Sequence, residues 1–592
     1  MPCCDIHPRV MTPEEEAREL EELPVDWLPP GELQRWSEVA DFYDGASILL
    51  TGATGFIGTL ILEKLLRSCP GVSTVYVLIR DKKGVPLQER LRSHLEKLIF
   101  SSARQACPDY LRKVVPIAGD CTQPGLGISP ADATLLTSKV SVVFHVAAAV
   151  RFDADLRTAT LTNVASTCEV IALVKRMINL KAFVYMSTAY SNAPRDEIDE
   201  EFYPPALNAE ELLKLLNIMG DEQLAQLLPL ILGDWPNTYT FTKAVAEDVI
   251  RTHAAGLPAS VIRPSIVMAT NKEPVAFWWG TCMDPARLWS GVHWEFCTPR
   301  NRTKTQWRIV CQLIWSPTQP SPAPGTPEAE NLERWRAGIH QLSTTARHQH
   351  ATPPNGQINE ARQQRDHTSV PGRKAKTPPA RYRHTRQDLT QLPAPRPLVY
   401  NCVSTARHPK SWGTILKDGR YATNFPSIKN ISPSYGFMFK QKSAYVVVAV
   451  LLHLIPAMIV DTFLCLKGRE PILWNVYSRV HAVMQALEKF ATREWTFKDD
   501  NMVAMLGRLG EADRKLFPCD IVDVDLEWHH KNCVRGLRLY ILNESFDNLE
   551  AAKKKYFWLT VLHYTVITIM SSLLLLMLWR ILGAQIGLRH PH

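Results

Sequence analysis

"ASILLTGATGFIGTLILEKLLRSC", residues 46–69, decides the fold. An apolar run ends at Leu50, a turn supplies Gly52, Gly55 and Gly58, and Ile57, Leu60, Ile61 and Leu65 then recur on one helical stripe. Strand, glycine turn and helix in that order predict the first βα unit of a dinucleotide-binding sheet. Gly52 permits the sharp turn, Gly55 lets backbone N–H groups approach a pyrophosphate, and Gly58 lets the helix pack on the strand. Thr54, Phe56 and Ile57 are the remaining candidate cofactor contacts of this turn. An ordinary tight βα turn is the competing reading, and the rest of the chain weighs against it.

The next strand, "STVYVLIRDKKG", ends in Arg80. A carboxylate at that place would accept from the ribose 2′-OH of NAD, whereas a guanidinium suits a 2′-phosphate. NADPH is therefore the expected cofactor, with Arg80 on its phosphate and Lys82 and Lys83 either beside it or in a solvated turn. "KVVPIAGDCTQP" and "KVSVVFHVAAAV" read as the third and fourth parallel strands. Asp120 is placed to meet the adenine edge, and Ala147 and Ala148 leave room for the cofactor, although each alone also fits plain sheet-edge geometry.

"KAFVYMSTAYSN" is a further strand that ends in two hydroxyls, Ser187 and Thr188. "NTYTFTKAVAEDVI" sets Tyr239 and Lys243 at i, i+4, on one helix face. A phenol with a reference pKa near about 10 becomes a useful proton donor when a cation stabilises its phenolate. The lysine can also hold the nicotinamide ribose, and a strand hydroxyl can steady the carbonyl oxygen. A lone YxxxK is more often a surface pair. After the glycine turn and the hydroxyl-ended strand, in that order, it reads as a catalytic constellation.

With 592 residues the chain is too long for one core, so two domains with appendages are expected. The formal net charge is +8, yet residues 300–397 hold sixteen Lys and Arg against six Asp and Glu, so the remainder is near −2 and offers no basic surface for nucleic acid. Thirteen cysteines occur without zinc-site spacing, which favours reduced thiols and no structural metal. The first twenty residues lack an apolar h-region, so no secretory signal is expected and the soluble parts should face the cytosol. Residues 556–582 carry no charge before Arg580, enough to cross a hydrocarbon core of about 30 Å. Residues 444–466 are also apolar, but Pro456 and Asp461 interrupt them. Lys440 and Lys442 precede that segment and Lys553, Lys554 and Lys555 lie ahead of the later one. With both basic clusters cytosolic, the first segment re-enters or lies in the interface, and only the second spans.

The stretches "FYDGASILLTGATGFIG", "LLRSCPGVSTVYVLIRDKKG", "FHVAAAVRFD", "VYMSTAYSN", "YTFTKAVAE", "ASVIRPSIV" and "VYNCVST" resemble the extended short-chain dehydrogenase/reductases, and within them the alcohol-forming fatty acyl-CoA reductases. The resemblance is close over residues 42–267 and resumes from 398, where "FPCDIVDVDLEWHHKNCVRGLRLYILNE" looks like that family's C-terminal domain. It implies an α/β NAD(P)-binding Rossmann fold, a doubly wound parallel sheet, followed by a mainly helical C-terminal domain and a transmembrane helix. It also implies catalysis by Tyr239 and Lys243, with Thr188 the preferred hydroxyl and Ser187 the reserve. The implied reaction takes long-chain fatty acyl-CoA to a primary alcohol with NADPH, through an aldehyde and with loss of CoA. Membrane lipid is the implied surrounding, with the catalytic domain cytosolic on the endoplasmic reticulum or, alternatively, peroxisomes. A membrane-associated hydroxysteroid dehydrogenase shares the glycine turn and YxxxK, but the C-terminal stretch disfavours it; an inactive product of a faulty gene structure is the other alternative. The expected organisation is an N-terminal extension (1–44), the Rossmann domain (45–275, resuming near 398–425), an aberrant segment (276–397), the C-terminal domain (426–550) and the spanning helix (556–582).

After "RPSIVMATNKEP" the chain departs from the family, whose glycine-rich "GW..DN..GP.G" segment and later "ADxVPVDxVxN" are missing. Written as degenerate codons and read from each third base into the next two, "FWWGTCMDPARLWSGVHWEFC" permits L-V-G-(N/D)-(L/M/V)-(Y/H)-G-(P/S)-(G/S), then (L/M/V)-(V/E)-G-(G/S)-(A/T)-L-G-(V/I)-L. The same shift through "TQWRIVCQLIWSPTQPSPAPG" permits (T/A)-(V/M)-A-(D/N)-x-(V/M)-P-(V/I)-(D/N)-(M/V). Two family segments restored in order by one shift point to out-of-frame translation over roughly 278–325, with frame-shifted or intronic sequence up to about 397. A genuine disordered Pro/Arg-rich insertion is the competing reading, because such composition buries too little apolar area to fold. Sequencing the mature transcript is expected to show the glycine-rich segment in frame; a transcript that encodes residues 278–325 as written would refute the frame reading.

Overall fold

Apolar strands separated by helices long enough to carry the chain back to its starting end form parallel ladders, since each crossover must return across one face of the sheet. In the computed structural model the described residues are 33–81, 84–267, 269–280, 296–297, 396–404, 406–407, 423–430, 438–439, 442–471 and 473–587. Seven strands, β1 (Ser47–Thr51), β2 (Thr74–Ile79), β3 (Val114–Ala118), β4 (Val142–His145), β5 (Ala182–Met186), β6 (Ala259–Pro264) and β7 (Leu398–Cys402), make one parallel sheet in the order β3-β2-β1-β4-β5-β6-β7. The seventh strand comes from beyond the aberrant segment. Helices cover both faces, and strand residues alternate between two apolar clusters: Ile48, Leu50 and Phe144 point into one, Leu49, Val143 and Phe183 into the other. The order in which strands are added reverses between β1 and β4, whose ends meet at Thr51 and His145, and such a switch point opens the crevice where open α/β sheets bind ligands.

Helix α1 (Phe56–Ser68) leaves β1 through the glycine turn. Gly52 sits at φ +72°, and a Cβ there would stand 2.7 Å from the Ala147 backbone N. A Cβ on Gly58 would stand 2.1 Å from the Gly52 carbonyl oxygen. Both glycines are thus needed for close backbone approach, one between the turn and the end of β4, the other between α1 and the turn.

The C-terminal helices share the core of the sheet. Met502, Met505, Leu506, Leu516 and Phe517 belong to the same cluster as Ile48 and Leu50. Polar ties join the parts: Ser37 Oγ donates to Asp513 at 2.5 Å, and Asn501 Nδ2 to the Val399 carbonyl at 3.0 Å. The apolar segment at 444–466 is a kinked helical run, Lys442–Ala449, a π-turn at Val450–Leu454, then α4 (Ile455–Leu466), and α5 (Leu473–Thr492) follows it. Pro456 follows the π-turn directly, at the kink in this run. Asp461 accepts from the Leu473 and Trp474 N–H groups at 3.0 and 2.7 Å, so this buried acid caps the start of α5. Among the described residues one helical stretch is long and apolar enough to cross a membrane, Phe546–Arg580, which runs from a short turn into the last helix, α6 (Leu549–Gly587), and none of its most apolar window is buried.

Residues 276–280, expected to open the aberrant segment, are packed. Phe277 lies against Trp528 at 4.8 Å, Trp278 stacks on Phe56 at 5.2 Å, and Trp279 Nε1 donates to the Cys533 carbonyl at 2.8 Å. Residues 281–295 and 298–395, where most of the aberrant segment falls, lie outside the described residues, as do 408–422 of the expected resumption.

Because a Cβ at Gly58 would overlap backbone that cannot swing aside, Gly58→Ala is expected to cost about 2 kcal/mol or more. Chemical denaturation checks this; an unchanged midpoint would contradict the packing account.

Candidate active site

The helix that follows Asn237, α7 (Thr238–His253), carries the candidate catalytic pair. Asn237 Oδ1 accepts from the Thr240 N–H at 2.9 Å and sets where α7 begins. Tyr239, Lys243 and Glu247 then fall on one stripe at i, i+4 and i+8, facing the end of β5.

Lys243 is 1% exposed, and water does not solvate its ammonium. Protein groups do so instead: Nζ donates to the Met186 carbonyl at 2.6 Å and to the Tyr185 hydroxyl at 3.3 Å, and lies 4.7 Å above the Tyr185 ring. Burial pulls its pKa down to about 7, while Glu247 acts in the opposite direction. A lysine in this state gives and takes a proton near neutrality.

Glu247 is held by more than the lysine. Arg263, fully buried on β6, donates to its two carboxylate oxygens at 2.9 and 2.6 Å, and to the carbonyls of Asp199 and Glu201 at 2.9 and 2.7 Å. Ser191 Oγ donates to Glu247 at 2.8 Å and Ser187 Oγ does the same. Ser187, the expected reserve hydroxyl, has therefore committed its proton to a buried carboxylate. Thr188 Oγ1 has only long contacts, 3.4 Å to the Pro264 carbonyl and 3.3 Å from the Tyr190 N–H. Of the two it is the freer to meet a substrate oxygen.

Tyr239 is half-buried beside Phe152 at 6.0 Å, and Phe152 stacks on Phe490 of α5 at 5.2 Å. Tyr190 adds edge contacts to Phe490 at 5.0 Å and Trp495 at 5.3 Å. One wall next to the phenol is thus aromatic and partly built by the C-terminal chain. Neither Phe152 nor Phe490 was singled out from sequence, since a wall made across 338 positions leaves no local spacing to read.

The residues expected at the cofactor fit a dinucleotide. Gly55 is the N-cap of α1 with extended backbone and no side-chain cap, so the first N–H groups of α1, at Phe56, Ile57 and Gly58, are presented to an anion beside exposed Thr54. Arg80 lies exposed just past β2, and its carbonyl accepts from Arg90. Ala147 gives its N–H to Thr51 Oγ1 at 3.2 Å and abuts Gly52. Asp120 turns its carboxylate onto its own loop, accepting from the Thr122 N–H and hydroxyl at 2.9 Å each. Lys82 and Lys83 lie outside the described residues.

A Rossmann sheet with an uncapped glycine turn, and a Tyr–Lys helix at the neighbouring strand end, define a nicotinamide-dependent oxidoreductase. Comparison with known proteins narrows the class. An NAD-binding family profile described as "Male sterility protein" matches residues 50–289, and a second of the same description matches 452–544. Fatty acyl-CoA reductase 1 of Rattus norvegicus is 30% identical over 549 residues, 92% of this chain and 94% of its own. Fatty acyl-CoA reductase wat of Drosophila melanogaster is 30% identical over 537 residues, 90% of this chain and 91% of its own. The chain belongs to the fatty acyl-CoA reductases. Among solved structures, the terminal R domain of the myxalamid PKS-NRPS pathway covers 90% of this chain and 99% of its own at 17% identity, with a TM-score of 0.46, too low a likeness to add to the argument.

Arg263→Met strands the Glu247 carboxylate in the interior and is expected to cost about 3–5 kcal/mol of stability. Adding Glu247→Gln should cost less than the sum of the two single changes, measured as a double-mutant cycle by denaturation; strict additivity would contradict the pairing.

Proposed function

We propose that the chain reduces long-chain fatty acyl-CoA to the primary alcohol with NADPH, by way of the aldehyde and with release of CoA. The observation that carries this reading is a buried Lys243 one turn from Tyr239, next to an aromatic wall that the C-terminal helix α5 completes. Apolar walls suit an acyl chain, and the names of the relatives support the substrate class.

Gly52, Thr54, Gly55, Phe56, Ile57 and Gly58 would hold the pyrophosphate, Arg80 the 2′-phosphate that distinguishes NADPH, Asp120 the adenine edge, and Lys243 the nicotinamide ribose, with Ala147 leaving space beside them. The cofactor, when bound, supplies hydride, and thioester to alcohol needs two deliveries, so two NADPH and two protons are consumed for each alcohol and CoA released. Thr188 Oγ–H hydrogen-bonds the carbonyl oxygen as negative charge gathers there. At the aldehyde stage Tyr239 gives its phenolic proton to that oxygen, and the Lys243 ammonium stabilises the phenolate left behind.

Two features support a membrane setting. The apolar helix α6 would span the bilayer, its base tied to the body by Lys555, whose Nζ donates to the Ile428 carbonyl at 2.6 Å. The run at 442–466 is amphipathic in the inverted sense: Ala449, His453, Ala457 and Asp461 are buried, while Val447, Met458, Ile459, Phe463 and Leu466 are more than half exposed. Small and polar inside with large and apolar outside suits lipid and supports an interfacial position for this run, with Lys467 and Arg469 at its end.

For the protein translated from its mature transcript and held in membranes, Tyr239→Phe is expected to lower aldehyde reduction by about 10²–10⁴-fold. Thr188→Val should lower it by about 10²–10³-fold, and Ser187→Ala should act mainly on stability. NADPH consumption with acyl-CoA and with aldehyde measures this, and a Tyr239→Phe protein at full rate would overturn the assignment.

A further inference from the structure

Two sets of buried polar groups near Lys243 are left unused by the functional reading above: the Tyr185 hydroxyl, and a hydrogen-bonded run from the glycine turn through His145 to Thr167. The direction of that run follows from counting lone pairs and protons. Thr51 Oγ1 accepts from the N–H groups of Val146 and Ala147 at 3.1 and 3.2 Å, so its own proton goes to His145 Nδ1 at 2.8 Å. Nδ1 is then an acceptor, and the imidazole is neutral with its proton on Nε2. That nitrogen faces Thr167 Oγ1 at 3.2 Å and Ser166 Oγ at 3.4 Å. Thr167 spends its single proton on the Asn163 carbonyl at 2.7 Å, inside the π-turn Leu161–Ala165. Tyr185 packs beside this run, its ring 5.7 Å from the imidazole. The Tyr185 hydroxyl oxygen accepts from Lys243 Nζ at 3.3 Å.

We propose that Tyr185 is a positioning residue for the proton chemistry at Lys243: its hydroxyl oxygen presents an acceptor to the buried ammonium and keeps it charged beneath Tyr239, while the hydrogen-bonded His145 beside it stays neutral. The inference rests on the reading of Lys243 as a catalytic group. The charged and titratable groups around Lys243 are Tyr239 and Glu247 on its own helix, Tyr185 on β5 and His145 on β4, with Arg263 of β6 already engaged by Glu247. His145 stays neutral for a physical reason: burial, with the lysine charge adding to it, pulls its pKa down to about 3. A charged imidazole there would repel the ammonium. Tyr185 is likewise held in its protonated form, since burial and then Glu247 push its phenol well above the ordinary tyrosine value.

The sign of the effect can be worked out. The active form for aldehyde reduction is the pair with Tyr239 and Lys243 both protonated, so the first proton lost sets the alkaline limb of kcat/KM. Removing the Tyr185 oxygen takes away an acceptor that favours charged Lys243, and the lysine proton leaves at lower pH. The Tyr239 proton beside a still-charged lysine is unaffected, so the limb can move only toward acid. Tyr185→Phe keeps the ring and its packing, and is expected to move the alkaline limb by about one pH unit, a tenfold change in proton concentration at half activity.

The test is the pH dependence of aldehyde reduction by the membrane-held, full-length protein, with thermal melting and NADPH binding measured on each variant. A limb displaced toward acid in a variant that still melts and binds NADPH like the parent supports the proposal. A lower melting temperature with an unmoved limb would assign Tyr185 a merely structural role and overturn it. Lys243→Met separates the two levels: if that protein keeps full activity, the active-site reading fails; if it is inactive while Tyr185→Phe leaves the limb in place, only the present inference fails.

Discussion

A lysine ammonium with almost no access to water is the constraint around which this site is arranged. Removing such a charge from water is costly unless protein dipoles and charges replace the lost hydration. The last carbonyl of β5, the phenol of Tyr185 and, one turn on, the carboxylate of Glu247 do so for Lys243. Glu247 in turn requires Arg263, which requires the carbonyls of Asp199 and Glu201. Strand β5, helix Thr238–His253, strand β6 and the loop after Ser191 are thus fixed to one another by the need to satisfy a few buried charges. Tyr239 inherits its place from that arrangement, because it rides on the same helix one turn earlier.

The parts of the fold that follow local spacing were legible in the sequence. The glycine turn, the strand ends at Arg80 and at Ser187 and Thr188, and the Tyr239–Lys243 pair all lie within single βα units, where periodicity and turn chemistry act over a few residues. The long-range groups were not. Phe152 meets Phe490, and Thr51 meets His145, only after the sheet has assembled. Ser187 illustrates the limit well. Next to Thr188 it reads as the reserve hydroxyl, and only the position of Glu247, 60 residues further along the chain, shows that its proton is already spent. Asp461 is the reverse case: it reads as a flaw in an apolar segment, and proves to be the cap of the following helix.

Helix α5 joins the two chemical worlds of the molecule. It begins beside the inverted amphipathic run, whose large apolar side chains face outward, and ends at Phe490 in the aromatic wall beside Tyr239. An acyl thioester has the same two-sided character, with a hydrocarbon tail and a charged, water-soluble carrier. The same chain segment thereby relates a surface suited to lipid to a site suited to the reacting carbonyl, and the C-terminal helices form part of the catalytic unit through shared core residues such as Met502 and Phe517.

The central claim is that one site delivers hydride twice from NADPH to the same carbon of an acyl thioester. Its most direct measurement is deuterium transfer from 4-deuterated NADPH, of the stereochemistry that the enzyme uses, to the product of a long-chain acyl-CoA, followed by mass spectrometry of the alcohol. The account predicts a primary alcohol carrying two deuterium atoms on the carbon that was the thioester carbonyl. Alcohol without label at that carbon, or NADPH left unoxidised in the presence of acyl-CoA, would contradict it.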